Sequence, residues 1–185
     1  LWLEGDALQD CGRWQEALDT YLRVLSRKDS GDYWNRVAAY AATRFRWDDQ
    51  LQFWKQMEAR FDSYAVRRVR QDLASRRPGG PVRINCGGAE HIDRLGDRWS
   101  SDLYYSHGAG QREPKGPERR PVKGTPEQPL YATNRQVGRL LLPDPLYRIP
   151  VENGKYVVSL HFAENWNFAT SPGLRCFDVL LQGKP

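Results

Sequence analysis

Along residues 1–77 apolar side chains recur every three or four positions: Leu8, Trp14, Ala17, Leu18, Tyr21, Val24 and Leu25, then Trp34, Val37, Ala38, Ala41, Phe45 and Trp47. That period collects them on one face of an α-helix. Interruptions at Gly12 and at Arg44-Phe45-Arg46 fall at corresponding points. They predict two helical hairpins, about 1–11 with 14–28 and about 32–43 with 47–60, and a fifth helix over about 63–76. The run Arg76-Arg77-Pro78-Gly79-Gly80-Pro81 ends the pattern. Prolines withdraw backbone donors and Gly-Gly adds freedom, so the helix stops and an extended chain begins.

Beyond it the apolar period shortens to two. Residues 82–86 read as a strand closed by Gly87-Gly88. Residues 147–151 and 156–162 flank Glu152-Asn153-Gly154-Lys155, and Asn-Gly tolerates the positive φ angles of a two-residue turn, so a β-hairpin is expected. In its second arm Tyr156, Val158, Leu160 and Phe162 share the core face while Ser159 and His161 share the other. Residues 174–181 read as a further strand. The polar stretch 106–129, with five prolines and no periodicity, reads as a flexible insertion or, on the other reading, as a gate over a ligand. The expected organisation is therefore multi-domain, α then β, with domains at 1–77 and 82–185.

Composition narrows the function. A hydrophobic content of 39% with 12% aromatics belongs to a globular chain. No run approaches the ~18 apolar residues of a membrane helix, and no signal-peptide pattern opens the chain. The first residue is not Met and already lies inside an amphipathic pattern, which gives the expectation of a fragment. The net charge of +5 divides into +2 before Pro78 (14 Lys+Arg against 12 Asp+Glu) and +3 after it (14 against 11). Signs alternate along the helices, so no nucleic-acid partner is expected. The cluster Arg67-Arg68-Val69-Arg70 with Arg76-Arg77 reads as a solvated helix face, or as a site for an anionic partner. Cys11, Cys86 and Cys176 lack any metal-ligand spacing and read as free thiols, with a Cys86–Cys176 bridge the alternative.

Two resemblances add to this reading. The segment Gly5, Leu8, Gly12-Arg13-Trp14-Gln15-Glu16-Ala17-Leu18, Tyr21 resembles a tetratricopeptide repeat, and a second copy lies 33 positions on, Trp14 matching Trp47 and Tyr21 matching Trp54. Gln50 stands where the first copy has Ala17, so the second hairpin should pack more loosely. Generic helical hairpins are the alternative. The resemblance implies the end of a longer array whose first helices line a groove for a protein partner.

The ordered segments VRINCGG, WSSDLYY, PLYATNR, YRIPVENGKYVVSLHFAEN and LRCFDVLLQGKP together resemble the malectin domain. That resemblance implies an antiparallel β-sandwich, incomplete at its C-terminus, with more strands after Pro185. It also implies non-enzymatic recognition of a glucose-type oligosaccharide or glycan. Saccharides are held by flat aromatic faces and by planar amides or carboxylates, and two segments offer both. The candidate carbohydrate-binding residues are Asp102, Tyr104 and Tyr105 in the first, and Glu164, Asn165, Trp166 and Phe168 in the second. Gln136 departs from the family, which has an aromatic there. Trp99, Tyr104 and Tyr131 also read as packing residues, and His161 as a solvated strand residue.

No phosphate loop, no nucleophile beside a base and no desolvated carboxylate pair is recognisable, so no catalytic residue and no enzymatic activity is expected. His91-Ile92-Asp93 lacks further ligands, so no metal and no cofactor is expected. The rival to the sugar reading is a protein-interaction scaffold in which the sandwich no longer binds sugar.

Overall fold

Five helices and a small mixed sheet follow one another in an α-then-β order in the computed structural model, which describes residues 2–77, 79–106, 109–112, 121–136, 146–164, 171–174 and 176–184. The chain divides into two units, each with contributions from separated stretches.

The first unit comprises Leu1–Val82, Leu103–His107 and Leu146–Gly154. Its helices are α1 (Trp2–Asp10), α2 (Trp14–Leu25), α3 (Gly31–Arg44), α4 (Trp47–Arg60) and α5 (Tyr64–Ser75). Gly12, at φ +75°, makes the turn between α1 and α2 that an L side chain would resist. Gly5 lets those two helices close: a Cβ there would lie 2.2 Å from Tyr21 Cε1. The Tyr21 hydroxyl then reaches Asp6 Oδ1 at 2.8 Å.

The close backbone approach of α1 to α2 is not repeated between α3 and α4. Large groups separate the second pair. Trp34 and Trp54, both fully buried, meet at 6.2 Å, and Gln50 is buried between helices with its Nε2 donating to Ala41 O at 3.2 Å. On α5, Val66, Val69 and Leu73 complete the core at helical spacing. The basic cluster of α5 is largely ion-paired within the unit, Arg67 to Asp62, Arg70 to Glu58 and Arg76 to Asp72.

The second unit comprises Arg83–Asp102, Gly108–Pro145 and Lys155–Pro185. Three short strands, β1 (Ile84–Asn85), β2 (His91–Ile92) and β3 (Arg98–Ser101), form one sheet in the order β1-β3-β2. β1 runs parallel to β3, with Ile84 opposite Ser100, and β2 antiparallel to it, with His91 opposite Trp99. A second sheet pairs β4 (Ala109–Arg112) with β5 (Thr133–Gln136), antiparallel. A 3-10 turn, Gln128–Tyr131, leads into β5.

Three expectations need correction. The stretch 106–129 is not structureless throughout, since it supplies β4 and the start of the 3-10 turn; residues 113–120 lie outside the described residues. The hairpin about Asn153-Gly154 is not formed. Its first arm is taken by another partner: Ser106 N–H donates to Leu146 O and Arg148 N–H to Tyr104 O, each at 3.0 Å, and Tyr105 bridges Tyr147. The would-be second arm, 156–162, and residues 176–180 of the expected strand 174–181 contain no strand. Their apolar side chains are exposed, Val157 at 96%, although the rings of Phe162 and Phe177 meet at 5.3 Å. None of the three cysteines is in a disulfide, and all three are exposed.

Candidate functional site

In the second unit the turn after β1 is built to admit a neighbouring strand. Gly87 has φ +74°, and a Cβ on it would lie 2.0 Å from the backbone oxygen of Asn134; one on Gly88 would lie 2.6 Å from Thr133 Oγ1. Only glycines let β5 approach this closely. The contact is fixed by Thr133 Oγ1 donating to Cys86 O at 3.2 Å, and the turn is braced internally by Asn85 Nδ2 donating to Ala89 O at 2.8 Å.

Beside it, Asp102 N–H donates to Gly88 O at 3.0 Å, and the Asp102 carboxylate receives Arg135 Nε at 2.6 Å. Both side chains are only 6% exposed. A buried carboxylate is tolerated when a buried cation pairs with it. Asp102, expected on a ligand, is thus engaged with the sheet's own arginine.

A second cluster gathers aromatics. The Trp99 indole N–H donates to Asp93 Oδ2 at 2.9 Å. That bond, with N–H donation from Asp97 and Leu95 and with Arg83 nearby, holds the Asp93 carboxyl below the ordinary range against the opposing effect of burial. The His161 ring stands edge-on to Trp99 at 5.4 Å, and its Nδ1 lies 2.9 Å from the Tyr131 hydroxyl. Trp99 and Tyr131 are half-buried and His161 is exposed. Sequence reasoning treated these three separately. The alternation of residues 156–162 set His161 apart from the apolar positions, but it did not point to Trp99 or Tyr131, which stand 62 and 30 residues away. His91 Nε2 lies 3.3 Å from Glu127 Oε2.

Tyr104 and Tyr105 belong to the first unit. The Tyr104 hydroxyl donates to Asp72 Oδ2 at 2.7 Å and the Tyr105 hydroxyl to Asp32 Oδ1 at 2.5 Å. Neither ring is offered to solvent, at 0% and 6% exposure. Glu164 is exposed. Asn165, Trp166 and Phe168 lie outside the described residues. Of the seven candidates, then, two are engaged by the helices, one by Arg135 and one is exposed. Among the described residues no three His, Cys, Asp or Glu side chains cluster as a metal site.

The sequence matches the malectin domain over residues 81–185, more than half its length, and the chain belongs to that family. It is also similar to Receptor-like protein 4 of Arabidopsis thaliana, 33% identical over 114 residues, covering 55% of this chain and 18% of that protein. The chain therefore spans less than a fifth of that relative's length. No solved structure matches. Membership of the family implies a carbohydrate-binding type of function. No helix among the described residues is long and apolar enough to cross a membrane.

Proposed function

We propose that the chain is a non-enzymatic glycan-recognition module: a malectin-type β-sandwich domain over 82–185, joined to tetratricopeptide-like hairpins over 1–77 that serve protein contacts. Its ligand is a glucose-type oligosaccharide or glycan. The observation that carries this reading is the family match over 81–185, within which Glu164-Asn165-Trp166-Asn167-Phe168 supplies an aromatic–amide run suited to a pyranose. The engagement of Asp102, Tyr104 and Tyr105 elsewhere favours a site centred on residues 164–168, with the two tyrosines joining only if they leave their carboxylate partners. The repeat reading is supported by the close α1–α2 approach over Gly5.

Titration calorimetry with maltose and nigerose tests it. Trp166→Ala should weaken binding by roughly 1–3 kcal/mol, the range for removing a well-packed aromatic contact, while Trp14→Ala should leave affinity unchanged. Equal affinity in wild type and Trp166→Ala would remove the site assignment.

A protein-interaction scaffold is the second reading. It is favoured by the exposed Gln136 at the end of β5, where an aromatic was expected, and by the buried phenols of Tyr104 and Tyr105. The absence of heat with every glucose disaccharide would select it.

A further inference from the structure

Two segments distant in sequence from the helices are seated on α3 and α5. Tyr104 is fully buried there with φ +66°, a left-handed backbone that non-glycine residues adopt when their surroundings impose it. Its N–H donates to Asn35 Oδ1 at 3.1 Å, and Asn35 is itself oriented by donating to Gly31 O at 3.0 Å one turn back in α3. Its hydroxyl donates to Asp72, and the Arg76 guanidinium carbon lies 4.9 Å from its ring centre. Arg76 also bonds Asp72 Oδ2 at 2.5 Å and Pro150 O at 2.7 Å. The Asp72–Arg76 pair is 4% and 8% exposed. Tyr105 reaches Asp32 on the first turn of α3.

These contacts have the character of peptide recognition. The segment gives up a backbone N–H to a side-chain amide and two phenol hydroxyls to two carboxylates, while an arginine covers one ring. Two of the three acceptors are also held from within the helical region, Asn35 by Gly31 O and Asp72 by Arg76. A buried carboxylate left with fewer donors is costly, so the face formed by Asp32, Asn35, Asp72 and Arg76 is suited to be filled.

We propose that this face of α3 and α5 is a docking site for a tyrosine-pair segment of its own chain, residues 103–106 braced by 146–150, and that it is closed to partners in trans while so filled. On the repeat reading above, α3 and α5 are the first helices of successive hairpins, so the occupied surface is the one such arrays offer to peptides. The docking itself rests on the contacts alone. Amide exchange therefore reports on it independently of the sugar titration, which tests the glycan reading.

The test is residue-resolved amide exchange on the full chain. In wild type the Tyr104 and Ser106 amides should be protected. In Asp72→Asn, which keeps size and an acceptor but loses the charge, their exchange should rise about tenfold or more, since charge-assisted bonds are the stronger ones, while amides of α1 and α2 keep their protection. A synthetic peptide of residues 101–107 provides the second arm. It should not bind wild type, and should bind Tyr104→Ala/Tyr105→Ala, whose own segment no longer fits; adding Asp32→Asn and Asp72→Asn should weaken that binding about tenfold. Wild-type Tyr104 and Ser106 amides exchanging as fast as an unprotected peptide would overturn the proposal. So would unchanged protection in Asp72→Asn, or peptide binding indifferent to the two carboxylates. Should the double alanine variant lose its helices, the exchange comparison decides alone.

Discussion

Asp102 offers the sharpest separation between a ligand group and a structural one. Its carboxylate and the Arg135 guanidinium are each 6% exposed, so solvent screens their attraction little and neither can be rehydrated without opening the sheet unit. Removing one partner takes from the other its buried counter-charge, a loss of about 3–5 kcal/mol. Asp102→Ala should show that loss in full, and Asp102→Asn a smaller one because an oxygen acceptor remains. With a urea dependence of about 1–3 kcal/mol per M, a 3 kcal/mol loss moves the urea midpoint of the sheet unit down by about 1–3 M. Arg135→Leu should do the same, and Asp102→Ala/Arg135→Leu should lose less than the sum of the two, since the double change leaves no orphaned charge. The assay is urea unfolding followed by Trp fluorescence. A drop under about 1 kcal/mol, the range of exposed pairs, would refute the reasoning and return Asp102 to the pool of ligand groups.

Gly87→Ala should destabilise the same unit by about 2–5 kcal/mol, combining about 1–2 for an L residue at φ +74° with about 1–3 for forcing a methyl against Asn134 O. Gly96→Ala, at φ +83° with nothing within 4 Å, should show only the first part, and equal losses at the two positions would count against the close-approach account. At high pH the helical unit should weaken. Burial first and the bond to Asp6 second push the Tyr21 hydroxyl up, and burial does the same to Tyr40 against the influence of Arg44. The folded state then keeps protons that the unfolded state sheds above about pH 10. Stability is fully present below that pH and falls as pH rises through it. Urea midpoints between pH 8 and 11 check this, with a shallower decline expected in Tyr21→Phe; a flat midpoint would contradict it.

The helices were legible to within three residues at every end, because amphipathic spacing and the Gly12 and Pro-Gly interruptions are local signals that packing reinforced. The sheet unit was not, and the reasons are specific. Asn153-Gly154 permits a hairpin but does not choose a partner, and the backbone of 146–148 pairs with 104–106 instead. β4 has the sequence Ala-Gly-Gln-Arg, which carries no alternating apolar signal; its pairing with β5 is a tertiary event. The tyrosine pair looked like a sugar platform because aromatics beside an acid suggest one. Its acceptors, Asp72 and Asp32, stand 32 and 73 residues away, where no local pattern points to them. The same distance hid Arg135 from Asp102, 33 residues apart.

The tyrosines have a consequence for inheritance. Residues 81–185 match one family, yet within them the Tyr104 and Tyr105 hydroxyls donate to Asp72 and Asp32, outside that stretch. A recombination event that carried 81–185 to a new neighbour would bring two phenols and leave both of their carboxylates behind. Such a transplant succeeds only where the new neighbour supplies acceptors of its own or where the segment finds another place to lie. A change at Asp32, Asn35, Asp72 or Arg76 is therefore felt by a stretch of chain that begins after them.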